Sequence, residues 1–256
     1  MAHLFKKDEL LVKIYDTRDF MGVGASEDIA SCIKQLLEEK SEINIIFAAA
    51  PSQNDMLRHL CERNDIEWER INAFHMDEYI GLKPDAPQCF SNFLKRSIFD
   101  LKPFKSVNLI DASATNPQDE CNRYSELLKK HPVDIVCMGI GENGHIAFND
   151  PHVADFNDAA AVKSVELDDV CRMQQVNDGC FATLDDVPKF AITLTIPTLM
   201  SAEYNFCVVP AATKAVAVKN TVEGEISHAC PASVLRNKPN AILYCDSESS
   251  ALLETK

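Results

Sequence analysis

The chain has 256 residues, of which 46% are hydrophobic and 25% charged, enough to bury a full core without disulfides or a structural metal. Its formal net charge of −14 at pH 7 argues against a nucleic-acid ligand, because binding to phosphate backbones requires a cationic surface. No window approaches the roughly 18 apolar residues of a membrane span, and the first residues, MAHLFKKDELL, lack the apolar core and cleavage site of a signal peptide.

Apolar, β-branched segments alternate with helical patterns along the chain. The first predicted strand covers residues 42–50, and a helix from about Gln53 to Arg63 follows it. Further strands are predicted in WERINAF, SVNLID, VDIVCMGI, FAITLTI, YNFCVVP and AILYCD, and helices in SEDIASCIKQLLEEK, CFSNFLKRSIF, QDECNRYSELLKK and ATKAVAVKNTV. Continuous apolar strands separated by helices predict an α/β fold, with a mainly parallel sheet flanked by helices on both faces.

No repeat, linker or change of composition divides the chain, so we interpret residues 1–256 as a single domain. The least regular part lies at approximately 149–187, which is polar and rich in turns. Ligands of open parallel sheets bind beyond the carboxyl ends of the strands. A long excursion in that region is therefore predicted to form a lid over the ligand.

The ten cysteines are scattered, and most stand in apolar segments such as IVCMGI and NFCVVP. The sequence contains no C-x-x-C pair that would indicate a zinc site or redox chemistry. We interpret the cysteines as small buried side chains in a reducing compartment and expect a cytoplasmic protein without membrane contacts.

The most unusual segment is GIGENGHIAFNDP at residues 139–151, directly after a predicted strand. Glycines there permit a tight turn and a close approach of the backbone to a ligand, although their spacing differs from the dinucleotide-binding pattern G-x-G-x-x-G. His145 would lie at the mouth of such a site, where Glu142, Asn143 or Asp150 could orient its ring and raise its basicity. The residues alone leave a structural and a catalytic histidine both open.

A second segment, FHMDEYIGL at residues 74–82, places Asp77 and Glu78 at the end of another predicted strand. Adjacent acids in a loop are commonly solvated and without function. A carboxylate in this place can also take a proton from one carbon and return it to the next. The acid and the histidine come from different strands, as a site assembled at sheet ends requires.

Two further segments are candidates for binding an anion. In AAAPSQNDML, Ser52 is predicted to cap a helix whose free N–H groups attract anions, although Asp55 adds a negative charge to the same turn. In VVPAATKAVAV, Lys214 is predicted one turn into a helix that follows a strand, where it could meet a phosphate. A plain helix cap and a surface lysine are the alternatives.

Together these segments resemble the glucosamine-6-phosphate deaminase/isomerase family over about residues 20–246. The most specific parts are MDEY-GL and G-G-x-GHIAFN-P, supported by VPKFAITLT, TKA and HACPASVL. The resemblance implies a modified Rossmann-like fold and a reaction that uses neither metal nor cofactor. An aminosugar 6-phosphate would be opened, isomerised and released as a ketose phosphate and ammonia, which makes the enzyme a hydrolase in its net reaction.

The resemblance also implies roles for individual residues by their motif positions. Asp77 corresponds to the base that moves a proton between C2 and C1, and His145 to the group that opens the sugar ring. Asn143 and Asp150 correspond to residues that orient and tune this histidine. Substrate contacts are implied or expected at Ala50, Ser52, Gln53, Gly141, Lys214 and Arg172.

Several positions depart from the family pattern. APSQND stands where many members have a Gly- and Thr-rich phosphate loop, Asp150 stands in place of a glutamate, and Asn143 in place of an acid. No residue of this chain corresponds clearly to the family's phosphate-binding lid arginine. Arg172 is nearby in sequence, but the local alignment favours a polar residue such as Asn177 at that position. These changes leave the sugar epimer open between glucosamine and galactosamine 6-phosphate.

Allosteric members of the family have basic residues in an effector site. Ala161 stands at one of these positions, although Lys163 is retained, so we expect an unregulated enzyme with hyperbolic kinetics. Two other functions remain as alternatives. A 6-phosphogluconolactonase shares the G-x-GH segment but needs no carboxylate to carry a carbon-bound proton. A sugar-phosphate-binding protein without turnover would account for the altered phosphate loop. No oligomeric state is predicted.

Overall fold

Eleven strands and seven α-helices form within residues 2–254, the part of the chain that the computed structural model describes. The strands are β1 His3–Lys7, β2 Leu10–Tyr15, β3 Ile43–Phe47, β4 Ile71–His75, β5 Asp77–Tyr79, β6 Ser106–Asn108, β7 Ile135–Met138, β8 Val162–Glu166, β9 Phe190–Leu194, β10 Tyr204–Val209 and β11 Ala241–Asp246. The helices are α1 Arg18–Glu39, α2 Asn54–Glu62, α3 Phe90–Leu94, α4 Pro117–Lys130, α5 Asp169–Asn177, α6 Ile196–Met200 and α7 Ala215–Glu223.

Eight strands form the main sheet in the order β1-β2-β11-β10-β7-β3-β4-β6. Every neighbouring pair is parallel except the β1–β2 hairpin. Alternate residues of a strand point to opposite faces, so in β3 Ile45 joins one hydrophobic cluster and Ile46 the other. Helices α1 and α2 pack in the first cluster, and α4 and α7 in the second. The predicted mainly parallel sheet with helices on both faces is therefore confirmed.

A second sheet of three antiparallel strands, β5-β9-β8, was not predicted. The prediction that FAITLTI belongs to the parallel sheet is wrong, because β9 pairs with β5 and β8 instead. The MDEY segment, interpreted as the end of a strand, forms the short strand β5 itself. A three-residue strand has no periodicity to detect, so only its pairing with β9 identifies it.

The predicted lid region, 149–187, is more regular than its composition suggested. It contains β8 and α5, and α5 begins at a normal cap, since the Asp168 side chain accepts the Cys171 N–H at 2.7 Å. All ten cysteines are free and eight are buried, as predicted. Within residues 2–254, none of the helices combines the length and the apolar character that a membrane crossing needs.

Candidate active site

The loops that follow β3, β4, β7 and β10 meet at one edge of the main sheet and enclose a cavity of about 120 Å³. We call it the site cavity. Its wall is formed by residues 48–52, 76–77, 139–141, 210–211 and 213–214, together with Arg18, Phe90, His145, Ala147, Phe148, Gln174, Gln175 and Asp178. The position beyond the carboxyl ends of parallel strands is where open α/β sheets bind ligands.

Asp77 and Glu78 have separate environments. Asp77 lines the site cavity. Glu78 accepts the backbone N–H groups of Tyr79 and Phe90 at 3.0 Å and of Ser91 at 2.9 Å, so its carboxylate caps the start of α3. Because successive side chains of a strand point to opposite sides, only one of the two acids can face the ligand.

The carboxyl group of Asp77 has a perturbed affinity for protons. Burial raises its pKa well above the ordinary value, and the neighbouring Glu78 carboxylate raises it further. Asp77 is therefore a stronger base, once ionised, than an exposed aspartate. A base of this kind is suited to removing a proton from carbon.

His145 and Asp150 form a buried pair beside the site cavity. His145 Nδ1 lies 2.9 Å from Asp150 Oδ1, although this nitrogen lacks a well-aligned hydrogen bond. Asn143 connects the pair, since its Nδ2 donates to Asp150 Oδ1 at 2.9 Å and its Oδ1 accepts the His145 backbone N–H at 3.0 Å. Burial by itself raises the pKa of Asp150, but His145, Asn143 and Cys171 together lower it below the ordinary value. Asp150 is thus an ionised partner that can hold the imidazole.

The glycines of GIGENG make room for this histidine. A Cβ atom on Gly141 would lie 2.2 Å from Cε1 of the His145 ring, so no other residue fits there without moving the ring. Gly144 has a φ of +85°, which favours glycine. The Gly141 N–H donates to the His145 carbonyl at 2.9 Å, and the Gly144 N–H donates to the Gly141 carbonyl at 3.0 Å. The turn therefore brings the ring against the Gly141 backbone.

The predicted phosphate loop lines the site cavity, but the predicted Ser52 cap is wrong. A 3-10 turn, Pro51–Gln53, precedes α2, and Gln53 occupies its cap position without a side-chain cap bond. The Ser52 hydroxyl instead accepts Gln53 Nε2 at 3.0 Å, and the same Nε2 donates to the Val208 carbonyl at 3.1 Å. The buried Gln53 thus ties this loop to β10, while Ala50 and Ser52 face the cavity.

Arg18 is a functional candidate that sequence reasoning missed. It lines the site cavity, donates to the Pro51 carbonyl and pairs with Asp55. This pairing offsets the negative charge that Asp55 was expected to add to the anion site. No local pattern marks Arg18, because Asp55 lies 37 residues further along the chain.

Lys214 lines the site cavity from the end of a 3-10 turn, Ala212–Lys214, directly before α7. Lys214 was predicted one turn inside the helix, but it occupies the N-cap position just before α7 begins. The side chain is buried rather than a surface lysine. Burial lowers the pKa of Lys214, and the carboxylates of Asp178 and Glu142 act in the opposite direction.

The structure does not place Arg172, for which a substrate contact was predicted, in the wall of the site cavity. Its buried guanidinium donates to Asp169 at 2.9 Å and to the carbonyls of Leu184 and Val187 at 2.7 and 3.1 Å, which ties α5 to the following segment. Neither Arg172 nor Asn177 is among the residues that line the site cavity.

Three other lid residues, Gln174, Gln175 and Asp178, face the site cavity. Gln174 also connects the lid to the glycine turn, because its Oε1 accepts the Glu142 N–H at 2.8 Å. Their polarity was visible in the sequence. Only the direction of α5 shows that these side chains, and not Arg172, reach the site.

Within residues 2–254, two groups of side chains have metal-ligating atoms close together, and both contain Asp150. One is His145, Asp150 and Cys171, all buried, and the other is Asp150, His152 and Asp168.

A family model described as glucosamine-6-phosphate isomerases/6-phosphogluconolactonase matches residues 16–244. The chain belongs to this family. Among curated members it is 33% identical over 212 residues to a glucosamine-6-phosphate deaminase of Listeria monocytogenes serotype 4a, covering 83% of this chain and 88% of that protein. It is 35% identical over 191 residues to a glucosamine-6-phosphate deaminase of Lactobacillus delbrueckii subsp. bulgaricus, covering 75% of this chain and 80% of that protein.

Solved structures of the family have the same fold. A monomeric glucosamine-6-phosphate deaminase superimposes with a TM-score of 0.85 at 27% identity, covering 94% of this chain and 99% of that chain. A 6-phosphogluconolactonase from Thermotoga maritima superimposes with a TM-score of 0.76 at 19% identity, covering 93% of this chain and 99% of that chain. The second likeness concerns the fold alone.

Proposed function

We propose that this protein converts an aminosugar 6-phosphate, glucosamine 6-phosphate or its galacto epimer, into the ketose 6-phosphate and ammonia. The observation that carries the proposal is that Asp77 and His145, which follow different strands, line one cavity together with two cations, Lys214 and Arg18. A carbon-to-carbon proton transfer, a ring opening and the binding of a phosphate each require one of these parts.

The first step is ring opening, for which His145 is placed. With its Nδ1–H directed towards Asp150, the neutral imidazole keeps a lone pair on Nε2. Nε2 takes the proton of the sugar's C1 hydroxyl and gives it to the ring oxygen as the C1–O bond to the ring breaks. Asn143 holds the Asp150 carboxylate and the His145 backbone in one arrangement, which keeps the ring orientation fixed.

Asp77 then performs the isomerisation. Its carboxylate removes the proton from C2, which gives an enolamine, and returns the proton to C1. Water adds to the resulting C2 imine and ammonia leaves, so one water is consumed for each ammonia released. The name isomerase describes the proton transfer, whereas our prediction of a hydrolase describes only this net stoichiometry.

The phosphate end of the substrate is assigned to Lys214, Arg18 and the loop 50–53. Lys214 is a buried cation, and Arg18 is already oriented by Pro51 and Asp55. A cation and a preorganised loop stabilise a phosphate more than flexible surface lysines do. The segment 149–187 is assigned the role of a lid, because Gln174 and Gln175 form part of the cavity wall.

The deaminase is favoured over a lactone hydrolase by the buried Asp77, since lactone hydrolysis needs no base that acts on a carbon-bound proton. The curated relatives named above support the same choice.

The test is ammonia release by purified protein given glucosamine 6-phosphate and, in parallel, galactosamine 6-phosphate, with the ketose phosphate assayed independently. Equal amounts of ammonia and ketose phosphate from one epimer are expected, and this result identifies the substrate. The Asp77→Asn variant serves as the control for contaminating activity. Folded protein that releases ammonia from neither sugar but hydrolyses 6-phosphogluconolactone would overturn the proposal.

A further inference from the structure

The two oxygens of the Asp150 carboxylate differ in their hydrogen bonding. The residue is fully buried, and Oδ1 is contacted by Asn143 and His145, whereas Oδ2 lacks a well-aligned hydrogen bond and the nearby Cys171 thiol only lowers the pKa of the carboxyl group. His145 Nδ1 is also buried without a well-aligned partner. Two buried polar atoms without well-aligned hydrogen bonds in one place are unusual, because a buried atom left unsatisfied costs about 1–3 kcal/mol.

The thiol of Cys171 lies at the same place. Cys171 is on the first turn of α5 in the predicted lid, and only 1% of its surface is exposed to solvent. One ligand atom each from His145, Asp150 and Cys171 lie within 4.8 Å of one another. The cluster therefore combines nitrogen, oxygen and sulfur donors drawn from the glycine turn and from the lid.

We propose that the His145–Asp150–Cys171 cluster binds a zinc ion and that the bound ion inhibits the enzyme. Zinc accepts a mixed set of imidazole, carboxylate and thiolate ligands in a tetrahedral arrangement. Three protein ligands leave one position for water. Binding forms a Zn–S bond and releases the thiol proton to solvent, so no oxidant or reductant takes part.

Inhibition follows from the chemistry of the imidazole. A neutral histidine has one N–H and one lone pair. When Nδ1 of His145 gives its lone pair to zinc, the single proton must be on Nε2. The ring then has no lone pair to accept a proton from the sugar, and Asp150 no longer orients it.

The second group, Asp150, His152 and Asp168, is the competing location. His152 and Asp168 are more exposed, and the group has no sulfur. A zinc ion bound there would leave Cys171 and His145 free. The two locations are therefore distinguished by whether sulfur is a ligand.

The experiment titrates the metal-free full-length protein with Zn²⁺ and with Co²⁺, whose thiolate complexes have a charge-transfer absorption. It compares the wild type with Cys171→Ser, Cys180→Ser and His152→Ala. Serine keeps a hydrogen-bond donor beside Asp150 but is a poor zinc ligand. Cys180 is a matched control, since this partly buried thiol lies close in sequence and outside the cluster.

We expect one metal ion per chain and the charge-transfer band in wild type, Cys180→Ser and His152→Ala. Cys171→Ser should lose the band and bind Zn²⁺ about tenfold or more weakly. X-ray absorption of the zinc-loaded wild type should show one sulfur ligand at about 2.3 Å, a measurement that needs no variant to fold. Absence of sulfur from the zinc shell, or loss of binding only in His152→Ala, would overturn the proposal. These readouts need no substrate, so they are independent of the proposed deaminase activity.

Discussion

Asp77 and Glu78 are adjacent residues of β5, but their carboxylates serve different parts of the molecule. Asp77 faces the site cavity, and Glu78 accepts three backbone N–H groups and caps α3. A single step along a strand separates the proposed base from a structural acid. The relationship makes the two residues matched controls for each other.

Replacing each acid by its amide should separate activity from stability. Asp77→Asn keeps the shape and removes the base, so ammonia release should fall below detection while the substrate still binds. Glu78→Gln weakens the cap of α3 and should lower the free energy of unfolding by about 1–3 kcal/mol, with turnover retained. Steady-state kinetics and urea denaturation of both variants measure the two effects. A near-wild-type rate in Asp77→Asn would show that another group moves the proton.

The raised pKa of Asp77 predicts a pH-dependent stability difference. Folding raises this pKa well above 3.8, so the folded protein binds more protons than the unfolded chain between 3.8 and the folded value. Wild-type stability therefore loses a contribution as pH rises through that window, and Asp77→Asn does not. The variant should become more stable relative to wild type by about 1 kcal/mol or more.

Urea unfolding of both proteins between about pH 4 and about pH 8 checks this, because titrating groups that do not interact with Asp77 cancel in the difference. Asp150, for example, has a lowered pKa in both proteins and loses stabilisation only in acid. A difference that does not change with pH would contradict burial of the Asp77 carboxyl group.

A methyl group at Gly141 should displace the His145 ring. The added Cβ would lie 2.2–2.4 Å from three ring atoms, so the imidazole must move away. We expect Gly141→Ala to lower kcat about 100-fold, since a displacement near 1 Å has this effect on positioned groups. Gly139→Ala is the control, because its Cβ would approach Gln53 Nε2 at 3.0 Å and not the histidine. Equal losses in the two variants would argue for a general disturbance of the turn.

Removing the charge of Lys214 should weaken binding of the phosphate. Lys214→Met keeps the length of the buried side chain, so the KM for the sugar phosphate should rise about 10- to 100-fold with a smaller change in kcat. Arg18→Gln should have an effect in the same direction. Lys219→Met is the control, because Lys219 lies on α7 and pairs with Glu254 at the surface. The fold-changes come from initial rates over a range of substrate concentrations. A KM unchanged in both cavity variants would place the phosphate elsewhere.

The kinetics should be hyperbolic. Ala161 has no charge to offer an anionic effector, and the Lys163 ammonium is already bound by the Val153 carbonyl at 2.7 Å and by Asp158 at 2.8 Å. An effector would have to break this ion pair to recruit Lys163. Initial rates measured over a range of substrate concentrations should give a Hill coefficient of about 1, and a sigmoidal curve would contradict the prediction.

Much of the site was predictable because its residues stand next to recognisable strands. VDIVCMGI and WERINAF are apolar enough to identify β7 and β4, and the carboxyl ends of parallel strands meet at one edge of the sheet. His145 and Asp77 therefore had to lie near each other. The resemblance of their motifs to the deaminase/isomerase family then selected Asp77 over Glu78, which no periodicity could have done.

Other features depend on contacts between residues far apart in the chain. Arg18 reaches the cavity only because α1 packs beside α2, and Arg172 is withdrawn because the carbonyls of Leu184 and Val187 fold back over it. A substrate contact was predicted at Arg172 and none at Arg18. Local composition gives no information about such partners.

By itself, the sequence determined the alternation of strands and helices, the parallel sheet and the edge of the sheet at which the site cavity lies, because hydrophobic periodicity records which local positions are buried. Only the tertiary structure decided that β5 pairs with β9, that Glu78 turns away to cap α3, and that Cys171 of α5 lies beside Asp150. These are consequences of packing between distant segments, and the direction of a side chain is known only when its partner is in place.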